Sequence, residues 1–307
     1  MPQPPNNPRP RDRRRVTVGL SCLALLCICG SVARADTKYP VRGVVLKIDT
    51  SHQAFVVSCD SIPGYMDAMV MPYPVHDAKE LDALAPGALI EFTLVVEKDA
   101  AYAENIRVRK YQSVEQDPET TRRLKLLDGA FGLPPAKTLQ PGQPVPDFVL
   151  IDQNRRLVAL SQFSGKLVLI NFIYTRCALP NFCLRISNNF GVLQRRFEAR
   201  MGKDLIFLTV TFDPVHDTPE ALARYAGIWH ADPQNWHFLT GSTSDIARVC
   251  ASFGVDFFPD EGLMDHSLHT AIIDPAGKLV VNLEGNEYSA EQLGDLVQTV
   301  LDRAPAH

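Results

Sequence analysis

The second half of the chain alternates continuous apolar runs with segments of helical periodicity. The runs Leu167–Ile173 and Leu205–Phe212 are rich in β-forming residues, which is typical of strands buried on both faces. Hairpins are predicted at 147–160 and 271–283. The segments with helical spacing are Thr218–Trp229, Ser242–Phe253 and Ser289–Arg303. This alternation predicts an α/β domain with helices on both faces of a central sheet.

The first half has a different pattern. Its short β-rich runs are separated by turn residues and by no long amphipathic helix; they are Val41–Ile48, Ala54–Ser58, Ala88–Glu97 and Ala103–Lys110. We predict a small all-β barrel over residues 37–113. A charged segment and then a Pro- and Gly-rich segment follow, so we predict a linker at 114–140 and the α/β domain at 141–307.

The N-terminal segment predicts export. Five arginines precede an apolar run from about Val16 to Val32, and Ala33-Arg34-Ala35 follows it. This order is typical of a secretory signal peptide, here residues 1–35, and places the protein in the periplasm. The alternative is an uncleaved segment that anchors the protein to the membrane, facing the periplasm.

Composition and cysteine content narrow the function. A chain of 307 residues with 46% hydrophobic and 21% charged residues fits two ordinary globular domains, and the net charge of −4 gives no reason to expect a nucleic acid partner. Without the leader, the cysteines are Cys59, Cys177, Cys183 and Cys250. In an oxidising compartment, cysteines in loops are paired, bound to metal or redox-active. Cys250 shares a helical face with Ile246 and Phe253, which indicates a core position.

Cys177 and Cys183 lie between a predicted strand and a predicted helix. On one regular helix, six steps would turn Cys183 by about 600° and raise it by about 9 Å, beyond the roughly 7 Å limit for disulfide partners. Pro180 disfavours helix at the residue before it, so we predict that Cys177 closes the strand, that Cys183 enters the helix, and that the two sulfurs can converge. The alternative is two buried cysteines that act as small hydrophobes.

His266 is the third candidate at this site. It precedes the hairpin at 271–283, in a loop that faces the cysteine turn if the sheet is thioredoxin-like. Two thiolates and an imidazole form a soft, three-coordinate site suited to copper. The alternative is a solvated loop histidine.

A methionine cluster marks the predicted barrel. Met66, Met69 and Met71 fall within six residues beside Pro and Gly, and on a strand Met69 and Met71 would share a face. Thioethers are soft ligands that select Cu(I). The alternative is that the methionines only fill the core.

Two family resemblances follow from these motifs. The pattern Ile-Pro-Gly-Tyr-Met-x-Ala-Met-x-Met-Pro-Tyr at 62–73 resembles the CusF-like periplasmic copper-binding domains, small barrels that bind Cu(I). The resemblance implies copper ligands among Met66, Met69 and Met71. Cys59 stands where that family would have a histidine, with His52 and His76 as substitutes nearby.

The segments Asn171–Cys177, Thr211–Pro219 and Asp265–Gly277 resemble the SCO/SenC family of thioredoxin-like copper chaperones. The resemblance implies copper, as Cu(I) or as Cu(II), at Cys177, Cys183 and His266, with His266 rather than His269 at the family's distance from the Pro-x-Gly turn. Five residues separate the cysteines here, whereas the family has three. Asp213 and Asp217 are interpreted as residues that shape and cap loops; a partner-facing acidic surface is the alternative.

The leading hypothesis is an exported chaperone that delivers copper to the copper subunit of cytochrome c oxidase or to another cuproprotein. The second is a thiol–disulfide oxidoreductase that uses Cys177 and Cys183 as a redox pair with an external thiol reductant. A peroxidase and a purely structural protein are further alternatives.

Overall fold

The computed structural model describes residues 37–110, 138–260 and 262–303. These residues belong to one compact unit. The predicted signal segment and most of the predicted linker lie outside the described residues. Within the described part, no helix combines the length and the apolar character needed to cross a bilayer.

Residues 37–108 form a five-stranded antiparallel sheet. Its strands are β1 (Thr37–Asp49), β2 (Ala54–Cys59), β3 (Met69–Pro74), β4 (Leu89–Val96) and β5 (Ala101–Val108). Their order is β3-β2-β1-β4-β5. A bridge between Val75 and Ala103 brings the end of β3 beside β5 and closes the sheet. The prediction of a small all-β barrel is therefore confirmed.

Strand β1 contributes to two hydrophobic cores. Val45 lies in the barrel core with Phe55 and Phe92, whereas the neighbouring Val44 and Leu46 lie in the core of the α/β part. Successive side chains of a strand point to opposite faces, so one strand can serve both cores. At β1, the barrel wall is therefore buried on its outer face as well as on its inner face.

Residues 149–284 form a mixed seven-stranded sheet in the order β14-β13-β8-β9-β10-β6-β7. Its strands are β6 (Val149–Asp152), β7 (Leu157–Ala159), β8 (Leu167–Ile173), β9 (Leu205–Thr211), β10 (Trp236–Thr240), β13 (His269–Ile273) and β14 (Leu279–Glu284). A separate hairpin consists of β11 (Phe257–Asp260) and β12 (Leu263–His266). Strands β8, β9 and β10 run parallel, and every residue of β8 and β9 is buried, as the apolar runs predicted.

The helices are α1 (Arg185–Arg196), α2 (Pro219–Ile228), α3 (Thr243–Ser252) and α4 (Ala290–Leu301). The Thr218 side chain accepts a hydrogen bond from the Ala221 N–H and caps α2, with Pro219 at the first helical position. Cys250 is fully buried on α3 beside Ile246 and Phe253, so its predicted core position is confirmed. This strand and helix order is that of a thioredoxin-like α/β domain.

Helix α4 joins the two parts of the molecule. The Ser58 hydroxyl donates to the Asp295 carboxylate at 2.7 Å, and the Arg303 guanidinium donates to the Leu46 carbonyl at 3.3 Å. These bonds flank the apolar contact of Val44 with the α/β core. The barrel and the α/β sheet therefore pack through one continuous interface.

Candidate metal centre

The loop after β8 carries both cysteines of the predicted site. Strand β8 ends at Ile173, and Cys177 lies beyond it in the loop, so the prediction that Cys177 closes the strand was wrong by a few residues. Residues Pro180–Leu184 then form an irregular turn, kinked at Phe182, that contains Cys183 and leads into α1. The five-residue spacer is therefore absorbed locally.

Cys177, Cys183 and His266 converge in one pocket. Their ligand atoms all lie within 4.8 Å of one another, and all three residues are buried. The Cys183 Sγ lies 3.8 Å from the His266 Nε2. None of the four described cysteines takes part in a disulfide. The sequence thus predicted which three residues meet, although their role as metal ligands stays a prediction.

The His266 ring is oriented by its surroundings. It ends β12, and its Nδ1 lies 3.0 Å from the Ser267 carbonyl, so Nδ1 carries the proton and donates to it. This contact orients the ring so that Nε2 faces the sulfurs, as in metal-ligating histidines. The Phe212 ring packs at 4.6 Å and the Tyr174 ring at 5.6 Å from the His266 ring, measured between centroids. The pocket is therefore apolar around its three donor atoms.

The two thiols differ in acidity. A hydrogen bond from Cys183 is the main cause that lowers the pKa of Cys177 to about 4, with a further contribution from His266, against the effect of burial. Burial raises the pKa of Cys183 well above its ordinary value. In this closely coupled pair, the thiolate therefore lies on Cys177 at neutral pH.

These donors fit a soft metal ion. Thiolate and imidazole ligands select copper, zinc or iron–sulfur chemistry over hard ions such as Mg²⁺. Three donors in an apolar pocket fit the low coordination number of Cu(I) better than a four-ligand structural zinc site. The described group is thus chemically competent to hold copper.

A polar network around Asp213 and Asp217, which the sequence indicated as loop-shaping residues without their partners, supports the cysteine loop. The buried Asp217 carboxylate accepts hydrogen bonds from the Thr175 N–H at 3.0 Å and from the Thr211 hydroxyl at 2.5 Å. The Arg176 guanidinium pairs with the Asp213 carboxylate at 2.8 Å, and the His216 Nδ1 lies 2.9 Å from the same carboxylate. Both aspartates therefore act on the residues just before Cys177. The only sequence signal for this was the aspartate pair itself.

In the barrel, Cys59 ends β2 and lies directly opposite Met69 in the antiparallel pairing with β3. The side chains of such a pair are within contact reach on one face of the sheet. The Cys59 thiol donates to the Tyr73 hydroxyl at 3.3 Å, and that hydroxyl lies 4.0 Å from the Met71 sulfur. Burial raises the pKa of Cys59 to about 11. Tyr73 thus links two of the predicted ligands, Cys59 and Met71. The sequence analysis did not predict this role of Tyr73.

The other predicted barrel ligands differ in exposure. Met66 and Met71 pack partly against the barrel core, whereas Met69 is 45% exposed. Core filling therefore does not account for Met69. His52 precedes β2, and His76 follows β3 at the same end of the hairpin, which is roughly 16 Å along the strands from Cys59 and Met69. The structure brings neither histidine to the sulfur group.

Two family models match this chain, one in each half. The family model of SCO1/SenC matches residues 136–302, which is just over half of the chain. The chain belongs to the SCO1/SenC family. A second family model, that of the copper binding periplasmic protein CusF, matches residues 38–108. Both predicted resemblances are confirmed.

Individual relatives match the C-terminal part. The human mitochondrial protein SCO2 homolog is 33% identical over 161 residues, which are 50% of this chain and 58% of that protein. The chain thus spans less than two thirds of that relative's length. Yeast Sco1 with copper bound is 27% identical with a TM-score of 0.45, over 54% of this chain and 92% of that one. BsSco, described as a member of the Sco family of cytochrome c oxidase assembly proteins, is 26% identical with a TM-score of 0.45, over 53% of this chain and 96% of that one.

Proposed function

We propose that the protein is an exported copper chaperone that binds Cu(I) through Cys177, Cys183 and His266 and delivers it to the copper site of a respiratory oxidase. The observation that carries this proposal is the convergence of two sulfurs and one imidazole nitrogen within 4.8 Å in a buried pocket. Membership of the SCO1/SenC family supports copper as the metal. Cytochrome c oxidase is the receiving enzyme that this family relationship favours.

The barrel is the second copper site of this proposal. Its donors are all sulfurs: Cys59, Met69 and Met71 share one face of the β2–β3 hairpin, and Met66 lies in the connecting turn and packs against the same core. The match to the CusF family model supports copper here as well. This site captures Cu(I), and the partly exposed Met69 gives the metal access from solvent.

Delivery proceeds by ligand exchange. A thiolate or thioether of the receiving cuproprotein replaces one ligand at a time, so copper keeps its oxidation state and no covalent intermediate forms. The exchange takes place outside the cytoplasm, in the periplasm, where the N-terminal segment either has been removed or holds the protein at the membrane.

One observation favours a second function, thiol–disulfide exchange. The Cys177 thiolate attacks a disulfide sulfur of a partner and releases the other partner sulfur as a thiolate. Cys183 then attacks the Cys177 sulfur, which yields a Cys177–Cys183 disulfide and a fully reduced partner. The lowered pKa of Cys177 beside a buried second thiol supports this order. An external thiol reductant of the thioredoxin class returns the pair to the dithiol.

An anaerobic Cu(I) titration of the reduced protein against a competing chelator tests the proposal. Wild type should bind two Cu(I) tightly, Cys177→Ser/Cys183→Ser should lose one, and Met69→Leu/Met71→Leu should lose the other. His266→Ala separates the two functions, because it weakens copper binding and spares disulfide reduction. Absence of tight Cu(I) binding in wild type, together with rapid cycling of the cysteines, would refute the chaperone function.

A further inference from the structure

The segment from Asn286 to Gln292, which runs from the end of β14 into the first turn of α4, contacts residues that flank both candidate metal sites. At its first end, the Asn286 side-chain amide donates to the Asn181 carbonyl, and the Arg185 guanidinium donates to the Tyr288 carbonyl at 3.4 Å. Asn181 lies between Cys177 and Cys183 in sequence. This end of the segment therefore holds the loop that presents the two sulfurs.

At its second end, the segment holds the strand end that carries Cys59. The Gln292 Nε2 donates to the Ser58 carbonyl at 3.2 Å and to the Asp60 Oδ1 at 3.0 Å. Ser58 and Asp60 are the two chain neighbours of Cys59. Gln292 is 5% exposed, so these bonds are shielded from water. Any shift of the Cys59 backbone therefore acts directly on Gln292.

Hydrogen bonds and burial hold the segment between these ends in place. The Gln292 Oε1 accepts from the Ser289 N–H at 2.9 Å, and the Ser289 hydroxyl accepts from the Gln292 N–H at 3.2 Å, which is a reciprocal capping box at the start of α4. Tyr288 is buried, and its hydroxyl donates to the Thr270 hydroxyl at 2.7 Å. A rigid segment transmits a displacement that a flexible one would absorb.

On this side the cysteine loop borders a cavity. Asn181 and Arg185 line a cavity of about 390 Å³ together with Asp60 and Gln292. Phe182, next to Asn181, has non-helical backbone angles and kinks this turn. The bond from Asn286 therefore restrains this stretch of the loop where it faces the cavity.

We propose that Asn286 and Gln292 are positioning residues that couple the two copper sites, so that Cu(I) in the barrel tightens Cu(I) binding at Cys177, Cys183 and His266. This inference rests on the proposed function. Metal binding at Cys59 fixes the end of β2, and with it Gln292 and Asn286. The cysteine loop is then ordered before its own metal arrives, and less conformational entropy is lost on binding there.

Cu(I) titrations of the full chain against a competing chelator test the coupling. The affinity of the Cys177 site in wild type is compared with that in Met69→Leu/Met71→Leu, whose barrel does not bind. We expect wild type to bind at least about fivefold more tightly, the lower end of usual coupling between sites. By reciprocity, Cys177→Ser/Cys183→Ser should weaken the barrel site by the same factor.

Two conservative variants test the route of the coupling. Asn286→Asp keeps the size of the side chain but loses the donor to Asn181. Gln292→Glu keeps the capping box but loses the donor to Ser58 and adds a charge beside Asp60. Each should abolish the fivefold difference while both sites still bind Cu(I). Glu291→Gln, at the exposed neighbouring position of α4, is the matched control and should leave the difference unchanged.

The outcomes are distinct. Equal affinity of the Cys177 site with and without a competent barrel would overturn the coupling and leave the proposed function intact. A difference that persists in both Asn286→Asp and Gln292→Glu would overturn the assigned residues. Failure of wild type to bind Cu(I) at either site would instead overturn the proposed function.

Discussion

Asp217 accepts both the N–H and the hydroxyl of Thr175, two residues before Cys177. The carboxylate is fully buried, and burial raises its pKa against the effect of these hydrogen bonds. A residue from the segment between β9 and α2 therefore fixes the loop that follows β8. The position of the Cys177 sulfur depends on this contact between segments that are distant in sequence.

Asp217→Asn should destabilise the protein by about 1–3 kcal/mol, because one buried amide donor would face the donors of Thr175. The same change should weaken Cu(I) binding at the Cys177 site, since the loop loses its support. Chemical denaturation and chelator competition measure the two effects. Glu220→Gln, an exposed change at the start of α2, should alter neither; unchanged copper affinity in Asp217→Asn would contradict the positioning role.

The metal-free, reduced protein should show selective alkylation of Cys177. Because the pKa of Cys177 is lowered to about 4, its reaction rate with iodoacetamide should stay nearly constant from pH 8 to about pH 5, whereas an ordinary thiol slows about tenfold per unit below its pKa. Mass spectrometry of the labelled peptides measures this dependence.

Two variants check the cause of this acidity. Cys183→Ala should raise the pH midpoint of alkylation more than His266→Ala does, since the hydrogen bond from Cys183 is the larger cause. A wild-type midpoint near that of a free thiol would refute the assignment of the thiolate to Cys177.

The stability of the fold should fall in mild acid because of His269. Burial lowers the pKa of His269 from 6.5 to about 4. Between these values the unfolded chain binds a proton and the folded chain does not. The stabilisation is therefore present above pH 6.5 and is lost as the pH falls towards 4, by about 3 kcal/mol in total.

Denaturation of His269→Gln across this pH range checks the effect. The variant keeps a polar partner for Asn282, which lies 3.2 Å from the His269 Nδ1 in wild type, and should show a flatter dependence on pH. His230→Asn, at an exposed position, should reproduce the wild-type slope. If the free energy of unfolding depends on pH in the same way in wild type and in His269→Gln, then His269 does not cause the loss of stability in acid.

Gly87→Ala should weaken the packing of the barrel against β14. Gly87 has a φ of +85°, and an added Cβ would lie 2.3 Å from the Val281 Cγ1. Gly165→Ala is the matched control, because Gly165 also has a φ of +85° but nothing within 4 Å of the new atom. The control should lower the free energy of unfolding by about 1 kcal/mol, from backbone strain alone. Gly87→Ala should lower it by roughly a further 1–3 kcal/mol, because of the clash. Equal costs in thermal unfolding would disprove the contact.

Local pattern predicted much of the fold. The apolar run Leu205–Phe212 became β9 at Leu205–Thr211, and the capped segment Thr218–Trp229 became α2 at Pro219–Ile228. Periodicity and capping act over a few residues, so they are visible in the sequence. The short strand β10 and the β11–β12 hairpin were missed; Pro259 in β11 is a residue that disfavours a strand assignment.

Relations between distant segments were harder to predict. Pro180 and the position of His266 indicated which three residues would meet, but nothing local indicated that Asp217 would hold Thr175 or that Tyr73 would bind Cys59. The packing of α4 on the barrel did have a signal. Val44, Val45 and Leu46 are consecutive apolar residues, and a strand with such a run is covered on both faces.

That double coverage of β1 has a consequence for attempts to divide the protein. A fragment that lacks the barrel would expose the apolar surface of the α/β part that Val44 and Leu46 cover, and an isolated barrel would expose those two side chains themselves. Exposed apolar patches of this kind promote self-association. Each half expressed alone should therefore be less soluble than the whole, and the intact chain should resist limited proteolysis across the α4 interface as a single cooperative body.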